Sequence, residues 1–184
     1  MNKYIKDLQI SITDDIIEVD KVQFKNGDTY DFELIEFLCL LGKNKNVFEL
    51  GTYRGRTTHN IALNAKEVYT FDYGSNLSPG GYDDYIVGEV YKSKGHTNIT
   101  QLIGDSLTFD FSPYYGMFDL VYLDAGHTEE YVKNDWELSK KLIKPSGCIV
   151  VDDASWPDVI KFFAPLEDNN IVRKMYEIYY YENK

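Results

Sequence analysis

From residue 46 onward, short apolar runs alternate with longer amphipathic ones, and this pattern constrains the fold more than any other feature. "NVFEL", "EVYTFD", "TNITQLIG", "FDLVYLD" and "CIVVDD" read as strands: each is brief, rich in β-branched and aromatic residues, and bounded by turn formers. Between them "GRTTHNIALNAK", "YDDYIVGEVYKSKG" and "TEEYVKNDWELSKKLIK" read as helices, the last stopping at Pro145 and Gly147. "WPDVIKFFAPLE" reads as a further helix and "NIVRKMYEIYYYE" as one final strand, over about 171–181. Strands alternating with helices imply βα units and a mainly parallel sheet. Runs such as "LVYL" and "CIVV" lack polar alternation, so both faces of that sheet should be covered. The predicted fold class is α/β: a Rossmann-like, doubly wound, mostly parallel sheet of six or seven strands with helices on both faces. In such sheets ligands sit beyond the carboxyl ends of the strands, which makes the acids at those ends candidate site residues.

The 184 residues suit one domain. Residues 1–45 read as a hairpin about Asn26-Gly27 and a helix capped by Asp31 and closed by Gly42, placed to cover a substrate. Residues 46–155 form the core, and 156–184 add a helix and a strand. The net charge of −11 gives no basic field for phosphates or anionic lipid, so neither nucleic acid nor a membrane is expected as partner. The N-terminus lacks an apolar signal core, which points to the cytoplasm. Cys39 and Cys148 lie in apolar runs and read as reduced core thiols.

The stretch "VFELGTYRGRTT" closes the first strand and opens a helix. Gly51 permits a tight turn, and Gly55 would let the helix approach a bound group. The spacing is not GxGxxG, and Glu49, two residues before the first glycine, would repel a pyrophosphate. It suits a cationic or neutral polar ligand. Asp72 ends the second strand about 20 residues on, where an acid can accept from ribose hydroxyls. A ribose without phosphate, joined to a positive group, describes S-adenosylmethionine.

Residues 46–155 resemble class I S-adenosylmethionine-dependent methyltransferases, and most nearly the small branch of sugar and natural-product O-methyltransferases. "FELGTYRGRTT", "VYTFD", "IGDSLTFDF", "FDLVYLDAGHTEEYVKNDWELSKKLIKPSG" and "CIVVDDAS" carry the likeness, in order and at the right spacing. The resemblance implies that Glu49 and the backbone of Gly51, Thr52, Tyr53 and Gly55 line the methionine and ribose side of the cofactor. It implies that Asp72 holds the ribose hydroxyls, that Asp105 accepts from the adenine amino group, and that Ser106 offers its N–H to a ring nitrogen. Tyr73 lies against the nucleoside or packs internally.

Asp124 ends the fourth strand and Asp152 and Asp153 the fifth. Three carboxylates converging at neighbouring strand ends repel one another unless a cation lies between them. Oxygen ligands of that kind suit Mg²⁺ or another divalent ion. The resemblance implies such an ion at Asp124, Asp152 and Asp153; an acid that merely caps the next helix is the alternative. The resemblance also implies that Asp124 stands beside the reacting methyl. Related sequences carry a second acid after this strand where this chain has Gly126, so the base for the acceptor hydroxyl becomes His127, which otherwise only positions its loop. His59 and His96 read as helix-surface and loop residues, and Arg56 as surface or interface. Trp156 reads as a wall for the acceptor or as core. The acceptor is expected to be a small hydroxylated molecule, with residues 1–30, the segment 74–81 and the loop after Asp153 shaping its pocket. Larger relatives finish with two antiparallel strands; with a single final strand here, the N-terminal hairpin or a second copy in a homodimer would complete the sheet. The rival reading is a nucleoside-binding scaffold that retains the cofactor pocket without turnover.

Overall fold

The structure, a computed structural model, describes residues 2–8, 17–20, 31–74 and 85–184. The expected hairpin about Asn26-Gly27, and all but the first residue of the segment 74–81, lie outside the described residues.

Seven strands form one sheet in the order β3-β2-β1-β4-β5-β7-β6. The parallel strands are β1 (Asn46–Leu50), β2 (Glu67–Asp72), β3 (Ile99–Ile103), β4 (Phe118–Leu123) and β5 (Ile143–Val151). At the other edge, β6 (Arg173–Met175) and β7 (Ile178–Glu182) run antiparallel. Alternate residues of the central strands feed two apolar clusters. Phe48, Val121 and Ile149 face Trp136 of α5 (Glu129–Leu142) and Phe163 of α6 (Pro157–Asp168). Val47, Leu120 and Val150 face Tyr4 of α1 (Lys3–Leu8), Phe37 of α2 (Phe32–Gly42) and Ile61 of α3 (Arg56–Ala62). Burial on both faces is why these strands read as continuous apolar runs. Asp31 caps α2 as expected, accepting from the N–H groups of Glu33 and Leu34. It also accepts from Lys3 Nζ at 2.6 Å and from the Tyr4 hydroxyl at 2.8 Å, which fastens α1 to α2. Cys39 and Cys148 are buried and free.

Three expectations are corrected. The single strand expected over 171–181 is a hairpin, with Met175 paired to Ile178 across a two-residue turn. Tyr176 sits there at φ 55°, where glycine or asparagine usually stands, so the turn left no signature. The sheet is thus completed within the chain, and the argument for a homodimer from an incomplete sheet lapses. Second, Pro145 and Gly147 do not lie between helix and strand: β5 already begins at Ile143 and contains both, and its pairing with β4 shifts register there. Third, within the helix expected over 82–95 the described residues 85–88 are not helical: Gly88 stands in the left-handed region at φ 69°, and α4 covers Glu89–Lys94.

Candidate functional site

A cavity of about 600 Å³ opens beyond the carboxyl ends of β1, β2 and β4. Tyr53, Phe71, Tyr73, Tyr85 and Tyr131 form its aromatic wall, with Asp72, Ser106, Asp124, His127 and Asp135 as its polar groups. Its size and its mix of apolar wall and few polar groups fit a small-molecule site. Gly51, at φ 100°, closes the β1 turn against β4: a Cβ there would stand 1.7 Å from the carbonyl oxygen of Asp124. The expected glycine turn is therefore present, and its tightness brings the ends of β1 and β4 together.

Asp72 anchors the loop after β1. Its Oδ2 accepts from the N–H groups of Thr52 at 3.1 Å and Tyr53 at 2.8 Å. Its Oδ1 accepts from Gly74 N–H at 2.8 Å and from the Tyr85 hydroxyl at 3.2 Å. The Tyr85 ring packs on Tyr53 with centroids 4.6 Å apart. Asp72 thus lies on the cavity wall as expected, and also holds the loop's shape. Thr52 is buried; its side chain belongs to a chain of hydrogen bonds in which Gln101 donates to Thr52 at 3.1 Å and Thr70 to Glu49 at 2.7 Å, the two threonine hydroxyls being 2.6 Å apart. Glu49 does not line the cavity. It lies beneath, 1% exposed, accepting from Thr58 and Thr70 on Oε2, while Oε1 has no partner among the described residues. Burial, reinforced by Asp72, pushes its carboxyl up to about 7. Gly55 also departs from expectation. Its Cβ would meet Tyr91 at 2.6 Å and Gly88 at 2.8 Å, so it admits α4 rather than a ligand to close approach, though it does border a second pocket of about 200 Å³ that Asp124 shares.

On the β3 side, Ser106 faces the cavity and Asp105 does not. Asp105 Oδ1 accepts from Leu107 N–H at 3.0 Å and from the Tyr131 hydroxyl at 3.2 Å, the habit of a turn-forming acid. The carboxylate on that wall is Asp135 of α5, 3% exposed and held by Ser106 and Asn134. Burial raises its carboxyl to about 6. The sequence reading missed Asp135, although an acid on the face that carries Val132, Trp136 and Ser139 inward was a visible signal.

The acids at the ends of β4 and β5 converge only in part. Asp124, His127 and Asp153 bring one ligand atom each within 4.8 Å of one another. His127 Nε2 lies 2.6 Å from Asp153 Oδ2, and its ring stacks on Trp156 at 4.5 Å and 14°. Asp152, expected in this group, is absent from it. Val151 packs toward α5 and α6, while Asp152 takes the Tyr122 hydroxyl at 2.5 Å; that hydroxyl also lies 3.3 Å from Asp124 Oδ2, so Asp152 stays beside Asp124 without joining the three. Asp153, at φ 57°, turns the chain back toward His127. Burial, then the charges of Asp152, Asp153 and Glu49, pushes the Asp124 carboxyl well above its usual range. Burial likewise raises Asp152 to about 6. Gly126 lies against Tyr131.

His59 and Arg56 are buried, against the expectation of surface residues. His59 meets His96 at 2.6 Å and Asp20 at 3.2 Å, away from the cavity.

Comparison with known sequences then decides the family. Residues 48–154, more than half of the chain, match the sequence model of a family described as a methyltransferase domain. The chain belongs to this methyltransferase-domain family. The matched region of the methyltransferase domain contains every expected site residue from Glu49 to Asp153. O-methyltransferase hkm8 of Aspergillus hancockii is 25% identical over 129 residues, covering 68% of this chain and 49% of that protein. The chain thus spans about half the length of this curated relative. Among solved structures, the O-methyltransferase NovP superposes with a TM-score of 0.64 at 12% identity, over 82% of this chain and 79% of that one. A SAM-dependent methyltransferase from Aquifex aeolicus gives 0.56 at 17% identity, over 83% and 88%. At these identities the two structures establish the shared fold. Among the described residues, no helix of the methyltransferase domain is long and apolar enough to cross a membrane.

Proposed function

We propose that this chain transfers a methyl group from S-adenosylmethionine to a hydroxyl of a small acceptor, a sugar or a natural product. The observation that carries the reading is one cavity of about 600 Å³ joining Asp72, at the end of β2, to Asp124, after β4, with an aromatic wall between. Three carboxylates lining it, Asp72, Asp124 and Asp135, favour a cationic or neutral nucleoside over a polyphosphate. The family match and the fold shared with O-methyltransferases support the same reading.

The cofactor, when bound, supplies a methyl on a cationic sulfur that needs no further activation. The chain's task is then positioning and the exclusion of water. Asp72 would hold the ribose hydroxyls, exchanging its bond from Tyr85 for one of them. Tyr53, Tyr73 and Tyr131 would enclose the nucleoside, with Ser106 and Asp135 at its adenine edge. Asp124 and His127 face the place where an acceptor would meet the methyl, and either can receive the hydroxyl proton. Trp156, beside His127, offers the acceptor an apolar surface. Two carboxylate oxygens and one imidazole nitrogen also fit a divalent cation, which when bound would lower the pKa of a coordinated hydroxyl. Asp124, His127 and Asp153 would hold it, in place of the all-carboxylate set with Asp152.

Isothermal titration with S-adenosylhomocysteine, with and without Mg²⁺, followed by mass spectrometry over a panel of hydroxylated acceptors, tests the reading. Binding with transfer supports it. No binding contradicts it, and binding without transfer across a broad panel favours the scaffold.

A further inference from the structure

We propose that residues 17–20 form a strap that acid releases: the paired imidazoles of His59 and His96 hold it on α3, and protonation of both rings lets it go. The proposal goes beyond the methyl-transfer reading and does not depend on it. Side chains of α3 grip the strap. Asn64 accepts from Glu18 N–H at 2.9 Å and donates to the Glu18 carbonyl at 2.8 Å. One turn earlier, Asn60 accepts from Asp20 N–H at 2.7 Å. The Asp20 carboxylate then lies 3.2 Å from His59 Nε2 and accepts from Lys94 Nζ at 3.0 Å. His59 is 4% exposed, and its Nδ1 lies 2.6 Å from Nε2 of His96, just past α4. Asp20 and His96 thus take opposite nitrogens of one ring, which makes a hydrogen-bonded chain rather than a metal site.

Counting protons shows how the chain opens. With both rings neutral it closes in one way: His96 Nε2–H donates to His59 Nδ1, and His59 Nε2–H donates to Asp20. One added proton leaves it intact, because His59 can donate from both nitrogens once His96 accepts. A second sets two N–H groups against each other across 2.6 Å, and the contact breaks. Burial of His96, then the charge of His59 and, more weakly, of Lys94 oppose that proton; they outweigh a hydrogen bond with Asn98 and hold the imidazole below its usual 6.5. The released state therefore binds the proton more tightly, so docking is complete above pH 6.5 and is lost as pH falls below it. The titratable groups on the other elements packed against α3 are engaged elsewhere. Glu33 and Glu36 of α2 meet Lys3 and Asn2, Glu89 of α4 meets Arg54, Tyr91 meets Gln101, and Lys92 meets the Val87 carbonyl. Asp72 of β2 holds the loop after β1, and Glu67 is exposed. Cys39 of α2 donates to the Asn60 carbonyl, and burial pushes its thiol up to about 12, so it stays neutral.

The pair bears on the cavity through the two helices it joins. His59 N–H donates to the Gly55 carbonyl at 3.0 Å, and Gly88 and Val90 donate to the carbonyls of Tyr53 and Arg54 at 2.8 and 3.0 Å. α3 and α4 thus buttress the loop that carries Tyr53 into the cavity wall, and the His59–His96 contact is a second fastening between them. Its loss loosens that loop.

Hydrogen exchange of the full chain without ligand tests the strap, read at the amides of Glu18 and Asp20 against those of Val121 and Ile149 in the central strands. Corrected for intrinsic exchange, protection of the strap amides should fall about tenfold relative to the strands from about pH 7.5 to about pH 5. His96→Gln keeps a donor for His59 Nδ1 but cannot take the second proton, so strap protection should stay within about threefold over that range. S-adenosylhomocysteine affinity should fall further with acid in the parent than in His96→Gln. Strap protection that ignores pH in the parent, or that falls equally in His96→Gln, would overturn the proposal, and equal losses of affinity would overturn the link to the cavity. Absence of S-adenosylhomocysteine binding at any pH would instead contradict the methyl-transfer reading.

Discussion

The carboxylate of Asp72 accepts the backbone N–H of Tyr53 at 2.8 Å, so the end of β2 holds the loop that leaves β1. One acid serves both as a loop anchor and as a wall of the cavity. Asp72→Ala should weaken binding of S-adenosylhomocysteine by about 1–3 kcal/mol, through lost ribose acceptors and a looser loop. Calorimetric titration of the variant measures this, and unchanged affinity would mean that the ribose lies elsewhere.

Tyr85 competes for the same carboxylate, its hydroxyl lying 3.2 Å from Asp72 Oδ1. Tyr85→Phe frees that oxygen while keeping the ring on Tyr53, so cofactor affinity should rise by about 0.5–1 kcal/mol. Tyr85→Ala removes the ring as well and should lower it. If Phe and Ala weaken binding equally, the hydroxyl assists the ligand instead of giving way to it.

Glu49 should make stability depend on pH. Its carboxyl is raised from 4.5 to about 7, so the folded chain binds that proton more tightly than the unfolded one. Its contribution to stability therefore falls as pH rises from 4.5 through 7, and the full penalty, on the order of 3 kcal/mol, persists above that window. Glu49→Gln should remove this slope, and its melting temperature should gain on the parent's between pH 5 and 8. Parallel melting curves across that range would contradict the assignment.

Gly51 and Gly95 both have positive φ but different surroundings. A Cβ at Gly51 meets the Asp124 carbonyl at 1.7 Å, whereas at Gly95 nothing lies within 4 Å. Gly51→Ala should cost about 3 kcal/mol or more, and Gly95→Ala only about 1. Urea unfolding of the two variants gives the comparison, and equal losses would show that the left-handed backbone alone matters at Gly51.

The sheet was legible because burial on both faces leaves its strands as apolar runs, and because Asp72 and Asp124 stand where those runs stop. The final hairpin was hidden because Tyr176 occupies a position that glycine usually marks. The acids misled for a related reason. Asp152 and Asp153 are neighbours in sequence, but the carboxylate of Asp152 is taken up by the Tyr122 hydroxyl, and no residue type announces the positive φ with which Asp153 meets His127. Asp105 fitted its motif by position, yet its carboxylate is taken up by Leu107 and Tyr131. Asp135 escaped because its place on the cavity depends on how α5 packs, a tertiary fact that helical spacing only hints at.

The most direct measurement is a crystal structure of the chain grown with S-adenosylhomocysteine. The account predicts the nucleoside in the cavity beyond β1, β2 and β4, its ribose on Asp72 and its sulfur directed toward Asp124. The nucleoside bound at another place, or with its ribose away from Asp72, would contradict it.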